Sequence, residues 1–220
     1  MRLIILAAGQ GFQLDGFNKI LLKDPISRKA ILDQYLQYFP EYPITVVVGF
    51  KAITIMSEYP QLHYVYNPEW RTKGNSYSLA LALSEEPCTI LPSDLFFDQE
   101  LAERIRQAPP NSGLVAHTEN RSLQALHCQV VDGTIADVYK GDTRPGDPEL
   151  MGVFKISDKE ILRRWRLNCL ANDTVSAFIG ENLPFRRSPI HVIEKGRSAL
   201  FEINTPFDYL SFINAKGAPR

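Results

Sequence analysis

The sequence predicts an α/β fold: a doubly wound, mostly parallel sheet with helices on both faces and a β-hairpin insertion in its second half. Three observations carry this expectation. An apolar strand, Arg2 to Ala8, runs directly into a loop of small residues around Gly9 and Gly11. Apolar and β-branched runs then alternate with segments of helical spacing through the first half, the pattern of a parallel sheet wound with helices. Finally, Leu123–Val131 and Ile135–Tyr139 flank Asp132-Gly133-Thr134, a hairpin signal.

The elements follow in order. Arg28 to Phe39 sets Ile31, Leu32, Tyr35, Leu36 and Phe39 at helical spacing, with Ser27 as the expected N-cap and Pro40 as the stop. Ile44–Val48 is a continuous β-branched run, read as a buried parallel strand. Lys51–Tyr59 reads as a short helix, Leu62–Tyr66 as a strand, and Asn75–Leu83 as a helix opened by Asn75 or Ser76. Cys88–Leu91 is a further strand ending at Pro92-Ser93-Asp94, and Asp98 is the expected N-cap of a helix over Gln99–Gln107. Beyond the hairpin, Gly141–Glu149 is a loop rich in glycine, proline and acid, and Leu150–Ile156 resumes as a strand. Helices are expected at Asp158–Arg166, Asp173–Glu181 and Pro206–Asn214. With no internal repeat, low-complexity tract or linker, residues 1–220 read as one domain.

Composition narrows the functions. A chain of 220 residues with 45% apolar and 22% charged residues can bury the core of one α/β domain. A net charge of −1 with no basic stripe argues against a nucleic-acid partner. The cysteines, Cys88, Cys128 and Cys169, are spaced for neither a metal nor a disulfide framework, which points to a reducing compartment. The run Leu3–Ala8 is too short for a secretory signal or a membrane span, so the expected protein is cytoplasmic, with no membrane partner. The histidines His63, His117, His127 and His191 share no metal spacing and read as structural.

The loop after the first strand has the makings of a phosphate cradle. Residues with little side chain let backbone N–H groups approach an anion, and Lys19 adds a mobile positive charge. It is not a P-loop: counted from Gly11, Gly16 falls in place but Phe17 stands where the lysine belongs. Nor is it a dinucleotide fingerprint, because Leu14 replaces the third glycine and Gly49-Phe50-Lys51 stands where an acid is required.

The pattern that fits is Leu6-Ala7-Ala8-Gly9-x-Gly11-x-x-Leu14 followed by Asn18-Lys19. It resembles the nucleotidyltransferases that couple a nucleoside triphosphate to a sugar phosphate, phosphocholine or a phosphonate. Pro92-Ser93-Asp94-Leu95-Phe96-Phe97-Asp98 resembles that family's metal-binding aspartate motif, and Leu150–Ile156 its acceptor-side strand. Phe201-Glu202-Ile203-Asn204-Thr205-Pro206-Phe207-Asp208-Tyr209 resembles its carboxyl-terminal signature. Asn67 to Leu79, with Asn75-Ser76 and then Ser78-Leu79, is nearest the phosphocholine and aminoalkylphosphonate cytidylyltransferases. The chain departs from the family at Gln13, where an arginine usually contacts the outgoing phosphates, and at Asn204, where aspartate is common.

The resemblance implies a Rossmann-like fold of the nucleotide-diphospho-sugar transferase type, its hairpin on the acceptor side. It implies CTP as nucleotide, a small phosphate or phosphonate acceptor, and pyrophosphate release. Ala7, Ala8, Gly9, Gln10, Gly11 and Phe12 would hold the nucleotide, joined by Lys19, Asn75, Ser76 and Asp94. Lys19 and Asp94 would be catalytic, with Mg²⁺ on Asp94 and Asn204, whose amide oxygen is a suitable hard ligand. Lys73, Tyr139 and Lys140 would meet the acceptor, and the acidic loop with Asp142, Asp147 and Glu149 would suit a cationic amine. The competing roles are plain ones: Asn204 as the cap of the last helix, Glu202 and Asp208 as supporting groups, Trp165 as packing. The alternatives are a sugar-1-phosphate nucleotidylyltransferase using UTP, dTTP or GTP, and a non-catalytic nucleotide-binding regulator, which Gln13 favours. A homodimer is an open option.

Overall fold

The computed structural model describes residues 1–117, 125–141, 144–183 and 188–217. The first half winds as β1 (Arg2–Ala7), α1 (Ile31–Tyr38), β2 (Ile44–Val48), α2 (Ala52–Glu58), β3 (His63–Tyr66), α3 (Asn75–Ala82), β4 (Cys88–Pro92), β5 (Leu95–Phe97) and α4 (Gln99–Gln107). The second half adds β6 (Ser112–Ala116), β7 (Leu126–Val131), β8 (Thr134–Lys140), β9 (Glu149–Ile156), α5 (Lys159–Ala171), β10 (Ile190–Glu194), β11 (Leu200–Glu202) and α6 (Pro206–Gly217).

Nine strands form one sheet in the order β3-β2-β1-β4-β9-β6-β10-β8-β7. β3, β2, β1 and β4 run parallel, while β9 enters antiparallel to both β4 and β6. The doubly wound half is as the alternation predicts; the second half makes the sheet mixed. Alternation along β1 fills both faces: Leu3 and Ile5 belong to one core with α1, α2 and α4, and Ile4 and Leu6 to another with α3 and α5. Trp165 on α5 is 1% exposed, edge-on to Phe154, and donates its Nε1–H to the Ala177 carbonyl at 2.8 Å. It is packing, as expected. The buried Lys155 on β9 donates to the carbonyls of Arg106 and Ala108 at 2.6 Å each, closing the end of α4.

The hairpin turn is as the sequence indicates. Asp132 and Gly133 both have positive φ (48° and 72°), the requirement of the tight turn that matches strand twist. Rather than standing off as an insertion, the hairpin extends the sheet, β8 pairing with β10 and β7 with β9. Leu123 and Gln124, expected in its first strand, and Asp142 lie outside the described residues.

Three expectations are corrected. Ser27 does not cap α1; the Ala30 N–H donates to Asp33 Oδ2 at 2.8 Å, and the backbone of Ser27 is drawn to the Asp24 carboxylate instead. Asp173–Glu181 is a run of turns rather than a helix, because its polar groups are spent elsewhere. Gly74 N–H bonds the Asp173 carbonyl, Ala177 N–H bonds Asn75 Oδ1, and Asn182 Nδ2 bonds the Ser176 carbonyl. Finally, β5, β6, β10 and β11 are short strands that the sequence reading did not foresee. β6 opens on Ser112-Gly113, where a Cβ on Gly113 would stand 2.9 Å from Ile135 Cδ1 and 3.0 Å from Phe154 Cε1, so a larger residue would push those side chains aside.

Candidate active site

The site forms where β1 and β4 end, at the carboxyl edge of the parallel strands, the usual place for ligands in an open α/β sheet. After β1 the chain passes through Gly11 (φ +59°), Asp15 (φ 52°) and Gly16 (φ +66°). A Cβ on Gly11 would lie 2.8 Å from the Phe17 carbonyl oxygen, so only glycine fits the turn. The Gly11 carbonyl accepts from Leu14 and Gly16, Leu14 is buried, and Lys51 Nζ donates to the Gly16 carbonyl at 3.0 Å. The loop is held in shape before any ligand arrives.

A cleft of about 270 Å³ opens beside it, lined by Ala7, Ala8, Gly9, Gly11, Lys19 and Asp94 on one side and Trp70, Lys73, Gly74 and Asn75 on the other. A second compartment of about 440 Å³ holds Glu149, Met151, Ser176, Phe178, Glu202 and Asn204. Asn75, Pro92, Asp94 and Phe178 line both, so the two form one groove with Asp94 at the junction. That size suits a nucleotide and a small second molecule.

Asp94 and Asn204 share one mount. Outside the main sheet, β5 and β11 pair antiparallel, Leu95 opposite Glu202, and Ile203 N–H donates to the Asp94 carbonyl at 2.9 Å. The buried Tyr35 hydroxyl lies 3.0 Å from the carbonyls of Pro92 and Leu95, steadying the turn between β4 and β5. Burial, and next the Asp94 charge, push that phenol well above its ordinary pKa. The capping role considered for Asn204 falls to its neighbours: Asp208 accepts from the N–H groups of Asn204 and Thr205, and Thr205 Oγ1 from Asp208 N–H. The Asn204 side chain is thereby left to the groove.

Lys19 Nζ stands between the two, 3.1 Å from Asp94 Oδ2 and 2.6 Å from Asn204 Oδ1. Two hard oxygens thus converge on one cationic centre. Glu202 closes the group. Although its outer edge meets solvent, its carboxyl is pushed up to about 7, first by desolvation and then by Asp94, against a hydrogen bond from Asn204 and the charge of Lys19.

The structure sorts the other expected residues. The roles expected of Gln10 and Phe12 are backbone ones, and their side chains are not in the cleft wall; Phe12 is 80% exposed. Gln13 lies exposed on the turn after Gly11. Ser76 is fully buried, and its hydroxyl meets neither compartment. Ser78, two residues on, lines the cleft instead and accepts from Asn67 Nδ2 at 2.9 Å. Lys73 is on the wall, ion-paired to Asp173 at 2.7 Å, and that hydrogen bond raises its pKa.

Tyr139 and Lys140 are not brought to either compartment. Tyr139 donates to Asp147 Oδ2 at 2.9 Å, accepts from Arg144 N–H, and lies under the Arg144 guanidinium at 4.3 Å, so the acidic loop is tied to its own strand. Of the described acids expected there, Asp147 and Glu149, the second reaches the groove, because it opens β9 next to the parallel half. Ser78 is a cleft residue to which the sequence gives no role of its own, and Trp70, which the sequence offers as a group to stack a ligand, is also on the wall. Trp70 packs edge-on to Phe50 and is the reason for Gly49, whose Cβ would stand 2.6 Å from Trp70 Cβ.

A glycine cradle at the end of the first strand, a lysine behind it and an aspartate at the fourth strand define a nucleotidyltransferase site. The chain belongs to the MobA-like NTP transferase domain family, which matches residues 3–154. It is 28% identical over 180 residues to the CMP-5′-(3-aminopropyl)phosphonate synthase of Streptomyces rubellomurinus, 74% of this chain but 28% of that protein, so it spans under a third of that relative. Its fold is shared with the CTP:phosphocholine cytidylyltransferase of Streptococcus pneumoniae (TM-score 0.76, 16% identity, 98% of both chains). It is shared also with the inositol-1-phosphate CTP transferase of T. maritima (TM-score 0.70, 15% identity, 100% of this chain and 98% of that one). No described helix is long and apolar enough to cross a membrane.

Proposed function

We propose that this nucleotidyltransferase joins CMP from CTP to a small acceptor that has a phosphate or phosphonate head and a cationic amine tail, releasing pyrophosphate. The observation that carries this is the divided groove. One compartment sets the glycine turn beside the cations Lys19 and Lys73, while the other gathers Asp94, Glu149, Glu202 and Asp208 with no lysine or arginine among its described lining residues. Acidic walls beside Phe178 and Met151 favour an amine tail over a hexose. The names of the phosphonate synthase and the phosphocholine enzyme, both cytidylyl proteins, support the same reading.

The reaction is an in-line displacement. An acceptor oxygen forms a bond to the α-phosphorus as the bond to the bridging oxygen of pyrophosphate breaks. The attacking oxygen is already anionic, so the work of the protein is alignment and charge neutralisation. N–H groups of the Gly9–Phe12 segment would cradle the triphosphate, and Lys19 would neutralise the departing phosphates.

The residues also fit a divalent cation, since the oxygens of Asp94 and Asn204 already converge on the Lys19 ammonium. Two protein oxygens suffice for magnesium, an ion that keeps water and substrate phosphates as its other ligands. Asp94 and Asn204 would hold it, and bound there it would neutralise phosphate charge.

The test is pyrophosphate release with magnesium, each nucleoside triphosphate in turn, and a panel of phosphocholine, phosphoethanolamine, aminoalkylphosphonates and sugar-1-phosphates. Turnover confined to CTP and an amine-tailed acceptor is the expected result. Release with a hexose-1-phosphate, or triphosphate binding with no release on any acceptor, overturns it.

A further inference from the structure

We propose that Asn75 is a positioning residue for the acceptor rather than for the nucleotide. Its amide Nδ2 holds an oxygen of the acceptor's phosphate or phosphonate head at the junction of the two compartments. This rests on the acceptor chemistry proposed above. Asn75 lines both compartments, together with Asp94. The backbone N–H of Ala177 donates to its Oδ1 at 2.8 Å. A backbone N–H can only donate, so this bond fixes which end of the amide is oxygen and turns Nδ2, with two hydrogens to give, the other way. Asn75 is exposed and lines the groove, and its Oδ1 is taken by Ala177.

The head needs such a donor. The acids that suit a cationic tail repel an anionic head, and the other amide nearby is already spent. Asn204 Oδ1 receives Lys19 and its side chain also bonds Glu202. Ser176 lines the same wall, and its hydroxyl accepts from Phe178 N–H at 3.3 Å, keeping its own proton to give. Among the described residues that line the second compartment, Asn75 Nδ2 and Ser176 Oγ are therefore the neutral side-chain donors available to a phosphorus-bound oxygen. Neutrality also serves the chemistry. An amide can orient a non-attacking oxygen without drawing charge from the attacking one as a lysine would.

Asn75→Asp keeps an oxygen for the Ala177 N–H and removes the donor; Ser176→Ala is its companion. Methylphosphonate, a head with no tail, is titrated into CTP-saturated protein and followed by phosphorus NMR line width, with CTP affinity measured separately by calorimetry. Asn75→Asp should weaken methylphosphonate roughly 10- to 100-fold while CTP affinity stays within about twofold, and Ser176→Ala should shift it less in the same direction. A loss of CTP affinity in Asn75→Asp, with or without a loss of methylphosphonate, overturns the proposal and gives Asn75 to the nucleotide. Unchanged binding in both variants, or no binding by the wild-type protein, also overturns it. A wild-type protein that binds methylphosphonate through Asn75 yet turns over no acceptor sinks the functional reading alone.

Discussion

The two compartments of the groove are made of different materials. The first has a stretch of main chain in its wall, Ala7, Ala8, Gly9 and Gly11 at the end of β1, beside the side chains of Lys19, Trp70 and Lys73. The second, proposed for the acceptor, is made of side chains: Glu149 and Met151 from β9, Phe178 from the turns after α5, and Glu202 from β11. Backbone donors exist whatever the residue, so conformation specifies part of the first compartment, while residue identity specifies the second. Change in one should alter whether a ligand is held; change in the other should alter which ligand is held.

The largest effect is expected where the compartments meet. Asp94→Ala should cut turnover on the order of 10²–10³-fold or more, measured by pyrophosphate release, with little change in melting temperature. Unaltered activity would remove Asp94 from the chemistry. The conformational side is tested by Gly11→Ala, which forces a Cβ into a left-handed turn and against the Phe17 carbonyl. A destabilisation of about 1–3 kcal/mol by urea unfolding, with weakened triphosphate binding, is expected. Wild-type behaviour would show that the loop has room to relax.

On the acceptor side the test is one of pH. Glu202 is raised to about 7 in the fold, against about 4.3 for a free glutamate. The protonated form is thus the one the fold favours, and ionisation costs stability progressively as pH rises through that window. In metal-free protein, Glu202→Gln should melt higher than wild type at pH 8, and the difference should vanish by about pH 4, below both pKa values. An equal difference at both pH values would remove ionisation as the cause. The smallest effect belongs to Tyr139→Phe. Among the described residues its hydroxyl serves Asp147 and Arg144, so acceptor KM should stay within about twofold, because a hydrogen bond of this kind contributes little. A tenfold rise would return Tyr139 to the acceptor site.

What could be read in advance follows the same division. The cradle, Lys19 and the strands that carry them were legible, because a buried parallel strand and a glycine turn are local properties with local signatures. Asn204 and Asp94 were legible through their motifs, although nothing in either motif says that β5 and β11 pair. Side-chain identity without position misled: Tyr139 and Asp147 have the right chemistry for an amine, yet they bond each other, and neither they nor Lys140 line either compartment. Glu149 was placed in a loop and proved to open a strand. The mistaken helix at Asp173–Glu181 had the same cause: partners for its polar groups lie near Asn75, far off in sequence.

The β5–β11 ribbon has a consequence for how the site comes into being. Lys19 and Asn204 are 185 positions apart, and the second follows directly on β11. The glycine turn closes over a few neighbouring residues, whereas Asp94 and Asn204 share a mount only once β11 has found β5. The two halves of the site therefore differ in how far along the chain their partners must be sought, and loosening the ribbon should part Asp94 from Asn204 while leaving the turn in shape.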